Sequence, residues 1–232
     1  KPFQKLSPRP CIFEYIYFSR PDSYLGGLSI YECRKSFGKQ LAIEAPMDAD
    51  YVIPVPDSGV PSAIGYAEYS KIPFELGIIR NHYVGRTFIE PQQSIRALSV
   101  KLKHNVNRAL IDGKKIILID DSIVRGTTST KIIEMLRDSG AKEVHMRITS
   151  PPIKFPDFYG IDTPIQEQLL SANQTIDEIC KFLKADSISF LSINGLYKAM
   201  GYPEGRDPDN PAFTDHCFTG DYPTKLRDKE SN

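Results

Sequence analysis

At 232 residues the chain suits one large domain with appendages better than two independent domains of roughly 150 residues each. Its 29 Lys and Arg balance its 29 Asp and Glu, so no global field draws in a nucleic-acid backbone. An apolar fraction of 41% supports a packed core. The apolar runs fall short of the roughly 18 residues of a membrane helix, so neither nucleic acid nor membrane is an expected partner. Cys11, Cys33, Cys180 and Cys217 are dispersed without a C-x-x-C pair, and the opening residues lack the apolar run of a signal peptide. A reducing cytoplasm is the expected location.

Residues 1–10 hold three prolines and read as an arm. Cys11–Phe18, rich in β-branched and aromatic residues, predicts a strand. Ile30, Cys33, Phe37 and Leu41 recur at helical spacing, predicting an amphipathic helix over Ser29–Glu44 with Ser29 as N-cap and Pro46 beyond its end. A strand–loop–helix rhythm follows. Tyr51–Val55 is a strand, Asp57–Gly59 a turn, and Pro61–Tyr69 a helix. Leu76–Ile79 is a strand, followed by a polar loop to Gln93 and a helix over Ser94–His104. Lys115–Ile119 is an unbroken apolar strand, Thr130–Arg137 a helix and Glu143–Ile148 another strand. Strands apolar on both faces and alternating with helices predict a doubly wound α/β fold with a mainly parallel sheet. After Pro151–Pro152 the rhythm changes. Thr175–Ala185 and Ser192–Met200 predict helices around a short Ile188–Leu191 segment, and a Pro- and Asp-rich tail closes the chain. We therefore divide one domain into an arm, strand and helix (1–44), a core (45–160), and C-terminal helices and tail (161–232) that flank or hood it.

The densest chemistry follows the strand at Lys115. Asp120-Asp121-Ser122 is succeeded by Arg125-Gly126-Thr127-Thr128-Ser129, two carboxylates and then a Gly- and hydroxyl-rich loop opening a helix. Small residues at a helix N-terminus let backbone N–H groups approach an anion. The adjacent carboxylates repel unless a cation or hydroxyl donors hold them. By itself a strand ending in Asp-Asp is as consistent with a helix N-cap as with a site. The full order points to a phosphate-plus-sugar site. Neither a Walker loop nor a G-x-G-x-x-G fingerprint occurs. Pro56-Asp57-Ser58-Gly59 read alone is a plain turn, but it too ends an apolar strand.

Together these segments resemble the type I phosphoribosyltransferases. The order Val52-to-Gly59, Tyr83-Val-Gly85-Arg86-Thr87-Phe88-Ile89, then Asp120-to-Ser129 is similar to the amidophosphoribosyltransferase family within that class. Cys11-to-Ser23, Phe158-to-Asp162 and Cys217-to-Gly220 are further family-like segments. The resemblance implies transfer of an amino group to phosphoribosyl pyrophosphate (PRPP), giving 5-phosphoribosylamine and pyrophosphate at the opening of purine synthesis. It assigns PRPP binding to Asp57, Ser58, Gly59, Asp120, Asp121, Ser122, Arg125, Gly126, Thr127, Thr128 and Ser129. Mg²⁺ falls to Ser58, Asp120 and Asp121, catalysis to Asp120, Asp121 and Arg86, and a lid lining an ammonia channel to Tyr83, Arg86, Thr87 and Phe88. Arg80 and His82 stand where Lys and Arg are usual. The resemblance places the start of this sequence near the junction with the family's glutaminase domain, so ammonia is the expected nitrogen donor unless such a domain is supplied. A separately docking glutaminase would need an exposed apolar patch near Ser19–Gly27. A homo-oligomer and feedback by purine nucleotides are also implied.

Many family members hold a structural [4Fe–4S] cluster on four cysteines. Cys11 and Cys217 match two of those positions, whereas Asp157 and Thr214 stand at the others, so no cluster is expected. Cys33 and Cys180 read as small hydrophobes, His145 as structural and His104 as solvated. His216 beside Cys217 lacks the second ligand pair of a zinc site. The alternative function is a non-catalytic PRPP-binding regulator or inactive remnant.

Overall fold

The structure, a computed structural model, describes residues 8–81, 104–161, 163, 165–224 and 226. Cys11 bridges Thr214 from near the other end of the chain, and the backbone then winds into a helical stretch whose π-helical part is Glu14–Phe18. This corrects the strand expected over Cys11–Phe18. The buried side chains are Ile12, Phe13, Tyr15 and Ile16, which share one side of a helix rather than alternating. Burial overrides the β-propensity of these residues. A hairpin of β1 (Tyr24–Leu25) and β2 (Leu28–Ser29) leads into α1 (Ile30–Glu44). Ser29 caps α1 as predicted, its side chain accepting from the Glu32 N–H at 3.4 Å.

Next come β3 (Tyr51–Pro54) and α2 (Val60–Ser70), which lies against α1 with backbones in contact. A Cβ at Gly38 would sit 1.8 Å from the Ser62 carbonyl oxygen, and one at Gly65 1.9 Å from that of Lys35. β4 (Ile78–Arg80) pairs antiparallel with β5 (His104–Val106), Arg80 opposite His104. His104 was expected to end a helix and instead begins a strand. The rest of that helix, from Ser94, and the polar loop from His82 to Gln93 lie outside the described residues.

A short α3 (Arg108–Ile111) precedes β6 (Lys115–Asp120), α4 (Thr127–Asp138) and β7 (Glu143–Ile148). Then follow α5 (Leu170–Asn173), α6 (Ile176–Leu183), β8 (Ser187–Phe190), α7 (Ile193–Ala199) and α8 (His216–Thr219). The central sheet is four-stranded and parallel in the order β3-β6-β7-β8. On the far side of β3 the segment before β4 runs parallel to it, Phe74 bridging Val52. Strand order therefore reverses between β3 and β6, the switch point at which open α/β sheets bind ligands. β8 extends the sheet well past the Pro151–Pro152 break, so the C-terminal third supplies a strand as well as flanking helices.

The unbroken run in β6 is explained by its two covered faces. Ile117 and Ile119 enter one core with Phe37, Leu41, Tyr66 and Tyr197. Ile116 and Leu118 enter the other with Ile132, Leu136, Ile179 and Leu183.

Candidate active site

Both predicted motifs lie at the carboxyl ends of the strands flanking the switch point. β3 ends in the Pro56–Gly59 turn, whose Pro56–Asp57 peptide bond is cis. Gly59 was expected to admit a ligand; the structure supplies a different reason for it. A Cβ there would lie 2.6 Å from the Ile119 carbonyl oxygen and 2.9 Å from that of Val55, so glycine lets the turn seat on β6. Ser58 is brought close enough to the second motif for its hydroxyl to favour the ionised Asp121 carboxylate. Asp57 is turned outward and pairs with Arg80 at the rim.

Asp120 and Asp121 are both buried. The Asp121 N–H donates to Asp120 Oδ1 at 2.9 Å, and the Ser122 hydroxyl donates to Asp121 Oδ1 at 2.7 Å. Burial pushes the Asp120 carboxyl well above the ordinary carboxylate range, and the neighbouring Asp121 charge adds to this. Burial raises Asp121 as well, opposed by the Ser58 and Ser122 hydroxyls and by the charge of Arg34. An acid pair held this way calls for a bound cation or hydroxyl donors.

Gly126 turns the chain into α4 at φ 74°, where a Cβ would meet Leu170 Cδ2 at 2.8 Å. The positive φ favours glycine here. α4 begins at Thr127, three residues before the sequence-based start. Thr127 and Thr128 are exposed at its amino end while Ser129 is buried. Arg125 points aside, its guanidinium donating to Gln168 Oε1 at 3.1 and 3.3 Å. Tyr83, Arg86, Thr87 and Phe88, with His82, lie outside the described residues.

Sequence reasoning missed Arg34. It lies on the buried stripe of α1, four residues from both Ile30 and Gly38, and a charge on such a stripe was the available signal. A cavity of about 750 Å³ lies between α1, the Pro56–Gly59 turn and the first helical stretch, with Tyr17, Phe18, Arg34, Asp57, Ser58 and Arg80 among its walls. A larger groove of about 1070 Å³ on the outer side of α1 and α2, near Lys35, Lys39 and Tyr69, holds none of the motif residues and is not the candidate site.

The positions matched to cluster ligands do converge. Cys11, Asp157 and Cys217 are near enough for their charges to interact, and Thr214 bridges Cys11. The oxygens of Asp157 and Thr214 are already engaged. Asp157 Oδ1 accepts from the Tyr159 and Ile161 N–H groups at 2.7 and 2.9 Å, and Oδ2 lies 2.8 Å from His216 Nε2. That last contact is close without being aligned as a hydrogen bond. The Thr214 hydroxyl donates to the Arg9 carbonyl at 2.7 Å. Burial raises both thiols, favouring the protonated form. These residues do not fit a four-thiolate cluster. His145 is structural, bonding Ser187 at 2.9 Å and Glu143 at 3.1 Å.

The family model for the phosphoribosyl transferase domain matches residues 34–149, from α1 to the end of β7. The chain is 62% identical to an amidophosphoribosyltransferase of Rhizobium etli over 231 residues, 99% of this chain and 46% of that protein. It is 50% identical to the Bacillus subtilis amidophosphoribosyltransferase over 216 residues, 93% of this chain and 45% of that one. A solved structure of glutamine PRPP amidotransferase from B. subtilis, complexed with ADP and GMP, superposes with a TM-score of 0.87 at 48% identity. That superposition covers 97% of this chain and 49% of the other. The chain thus spans about half the length of these relatives. Motif order, switch-point geometry and the match over half of its length agree: the chain belongs to the phosphoribosyl transferase domain family.

Proposed function

We propose that this chain is the phosphoribosyltransferase half of an amidophosphoribosyltransferase, transferring an amino group from ammonia to PRPP to give 5-phosphoribosylamine and pyrophosphate. One observation carries the reading. The Pro56–Gly59 turn and the Asp120–Asp121 pair stand at the carboxyl ends of the neighbouring parallel strands β3 and β6 at the switch point, with Gly59 seated against the Ile119 carbonyl, in a chain whose relatives bear this name. The start of α4, with the hydroxyls of Thr127, Thr128 and Ser129 and the turn at Gly126, receives the 5′-phosphate. Asp120 and Asp121 accept hydrogen bonds from the ribose hydroxyls. The Asp57–Gly59 turn faces the diphosphate. Ser58, Asp120 and Asp121 form a hard-oxygen set suited to Mg²⁺, which needs only one or two carboxylates besides substrate phosphates and would stabilise the leaving charge. Ammonia is already a nucleophile, so positioning in a dry site does most of the work and no general base is required.

A glutaminase domain is the proposed partner. The exposed Tyr17, Phe18, Tyr24 and Leu28, next to the cavity, offer it an apolar surface. A homo-oligomer, a cytoplasmic location and inhibition by purine nucleotides belong to the same reading, the last supported by the ADP and GMP named for the solved relative. Pyrophosphate release from Mg²⁺-PRPP tests the whole. Release with ammonium, and with glutamine only once a glutaminase domain is added, is the expected result. PRPP binding without release from either nitrogen source would make the chain a PRPP-responsive regulator instead.

A further inference from the structure

α1 carries none of the residues assigned to the reaction, yet one of its side chains ends at the site. Arg34 is only 3% exposed. Its Nε donates to the Tyr15 carbonyl at 2.9 Å and its Nη2 to the Ser19 carbonyl at 2.7 Å, the two ends of the wall segment that holds Tyr17 and Phe18. Its own carbonyl accepts from the Ser62 hydroxyl at 3.0 Å, on the helix that the diphosphate turn launches. Carbonyls orient a guanidinium without neutralising it. The acid whose charge it feels is Asp121, itself occupied by the Ser122 hydroxyl. A buried cation held this way is expensive, and a neutral side chain of similar volume would pack at lower cost. The planar fork of arginine spans two carbonyls at once, which a lysine does not.

We propose that Arg34 is a positioning residue of the active site: its side chain fastens the Tyr15–Ser19 wall to α1, and so sets the width of the cavity through which the nucleophile reaches bound PRPP. The inference deepens the functional reading above and rests on it. Because Arg34 grips the wall rather than the phosphates, its loss should impair use of ammonia more than binding of PRPP.

Arg34→Gln and Arg34→Lys, made in the protein otherwise unchanged, test this by three measurements. Amide hydrogen exchange over residues 12–20 should rise by about tenfold or more in Arg34→Gln as the wall loosens. KM for ammonium should rise by about tenfold, while the affinity for Mg²⁺-PRPP by calorimetry stays within about threefold. Arg34→Lys, keeping the charge but not the fork, should fall between the two in exchange and in KM. Unchanged exchange at 12–20 overturns the proposal. So does a loss of PRPP affinity that tracks a fall in thermal stability, because that is the signature of a merely structural arginine. Should Arg34→Gln fail to fold, the exchange and KM shifts of Arg34→Lys decide alone. If the unaltered protein shows no ammonia-dependent turnover, the functional reading falls, and the exchange data still decide whether Arg34 holds the wall.

Discussion

Two adjacent carboxylates under a sheet end are costly until something binds them. An acid whose folded-state pKa is raised holds its proton more tightly when folded. Its contribution to stability is therefore full below the unfolded-state pKa and is lost as pH rises through the folded value. Asp120 and Asp121 are both raised by burial, so the ligand-free protein should lose stability between mildly acidic and neutral pH. Thermal unfolding across that range without Mg²⁺ should show the decline, and Asp120→Asn should flatten it. We expect that variant to gain about 1 kcal/mol at neutral pH, a rise of about 2–4 °C in Tm for a chain of this size. The same substitution, or Asp121→Asn, should weaken PRPP binding and turnover by at least about tenfold. Unchanged PRPP kinetics in both variants would remove the acids from the site.

Between elements, the closest approaches run through glycine. The α1–α2 contact brings the backbones together at Gly38 and Gly65, where the neighbouring atoms are carbonyl oxygens of Ser62 and Lys35 and cannot swing aside. Gly65→Ala should therefore force the helices apart and destabilise the fold by about 1–3 kcal/mol, seen as a lower denaturant midpoint. Both helices border the cavity, so PRPP affinity should fall with it. At α6 the energetics are local. Thr175 accepts from the Glu178 N–H, and the Glu178 carboxylate accepts from the Thr175 N–H, a complete capping box. Thr175→Ala should cost about 1 kcal/mol and leave substrate kinetics unchanged.

At the scale of the molecule, the two ends of the chain are tied together. Arg9 and Arg206 both pair with Asp221, and Arg206 also grips the fully buried Asp215, which accepts from the Tyr197 hydroxyl at 2.7 Å. Removing the anion at the centre, as in Asp215→Ala, leaves Arg206 with Asp221 alone and the Tyr197 hydroxyl without its acceptor, and should cost about 1–3 kcal/mol. Beside this network the Asp157–His216 contact is packed by Tyr159 and Tyr222, and Asp157 stands at one of the positions that the resemblance matched to cluster ligands. Purified protein should accordingly contain neither iron nor acid-labile sulfide in stoichiometric amount. Metal and sulfide analysis checks this, and a visible charge-transfer band would contradict it.

Whatever depends on periodicity and local order was legible in the sequence. The runs at Tyr51 and Lys115 announced strands covered on both faces, because a strand buried twice has no polar side to show. Glu143–Ile148 instead alternates Glu143, His145 and Arg147 with apolar residues, and its second covered face is known only from burial. The Ser29 cap and the order of Asp57-Ser58-Gly59 before Asp120-Asp121 were readable because caps and turns are made by neighbours in sequence. Tertiary contact decided the rest. Cys11–Phe18 became helical because four of its apolar side chains found a core on one side. β5 (His-Asn-Val) and β8 (Ser-Ile-Ser-Phe) carry too few apolar residues to declare themselves and exist through their ladder partners. Gly59 and Arg34 owe their roles to atoms far away in the chain: the Ile119 carbonyl, and the carbonyls of Tyr15 and Ser19. Hydrophobic pattern and turn chemistry determined the architecture and the two motifs. Only close packing across the switch point decided which side chains they meet, because such contacts depend on distances that no sequence separation encodes.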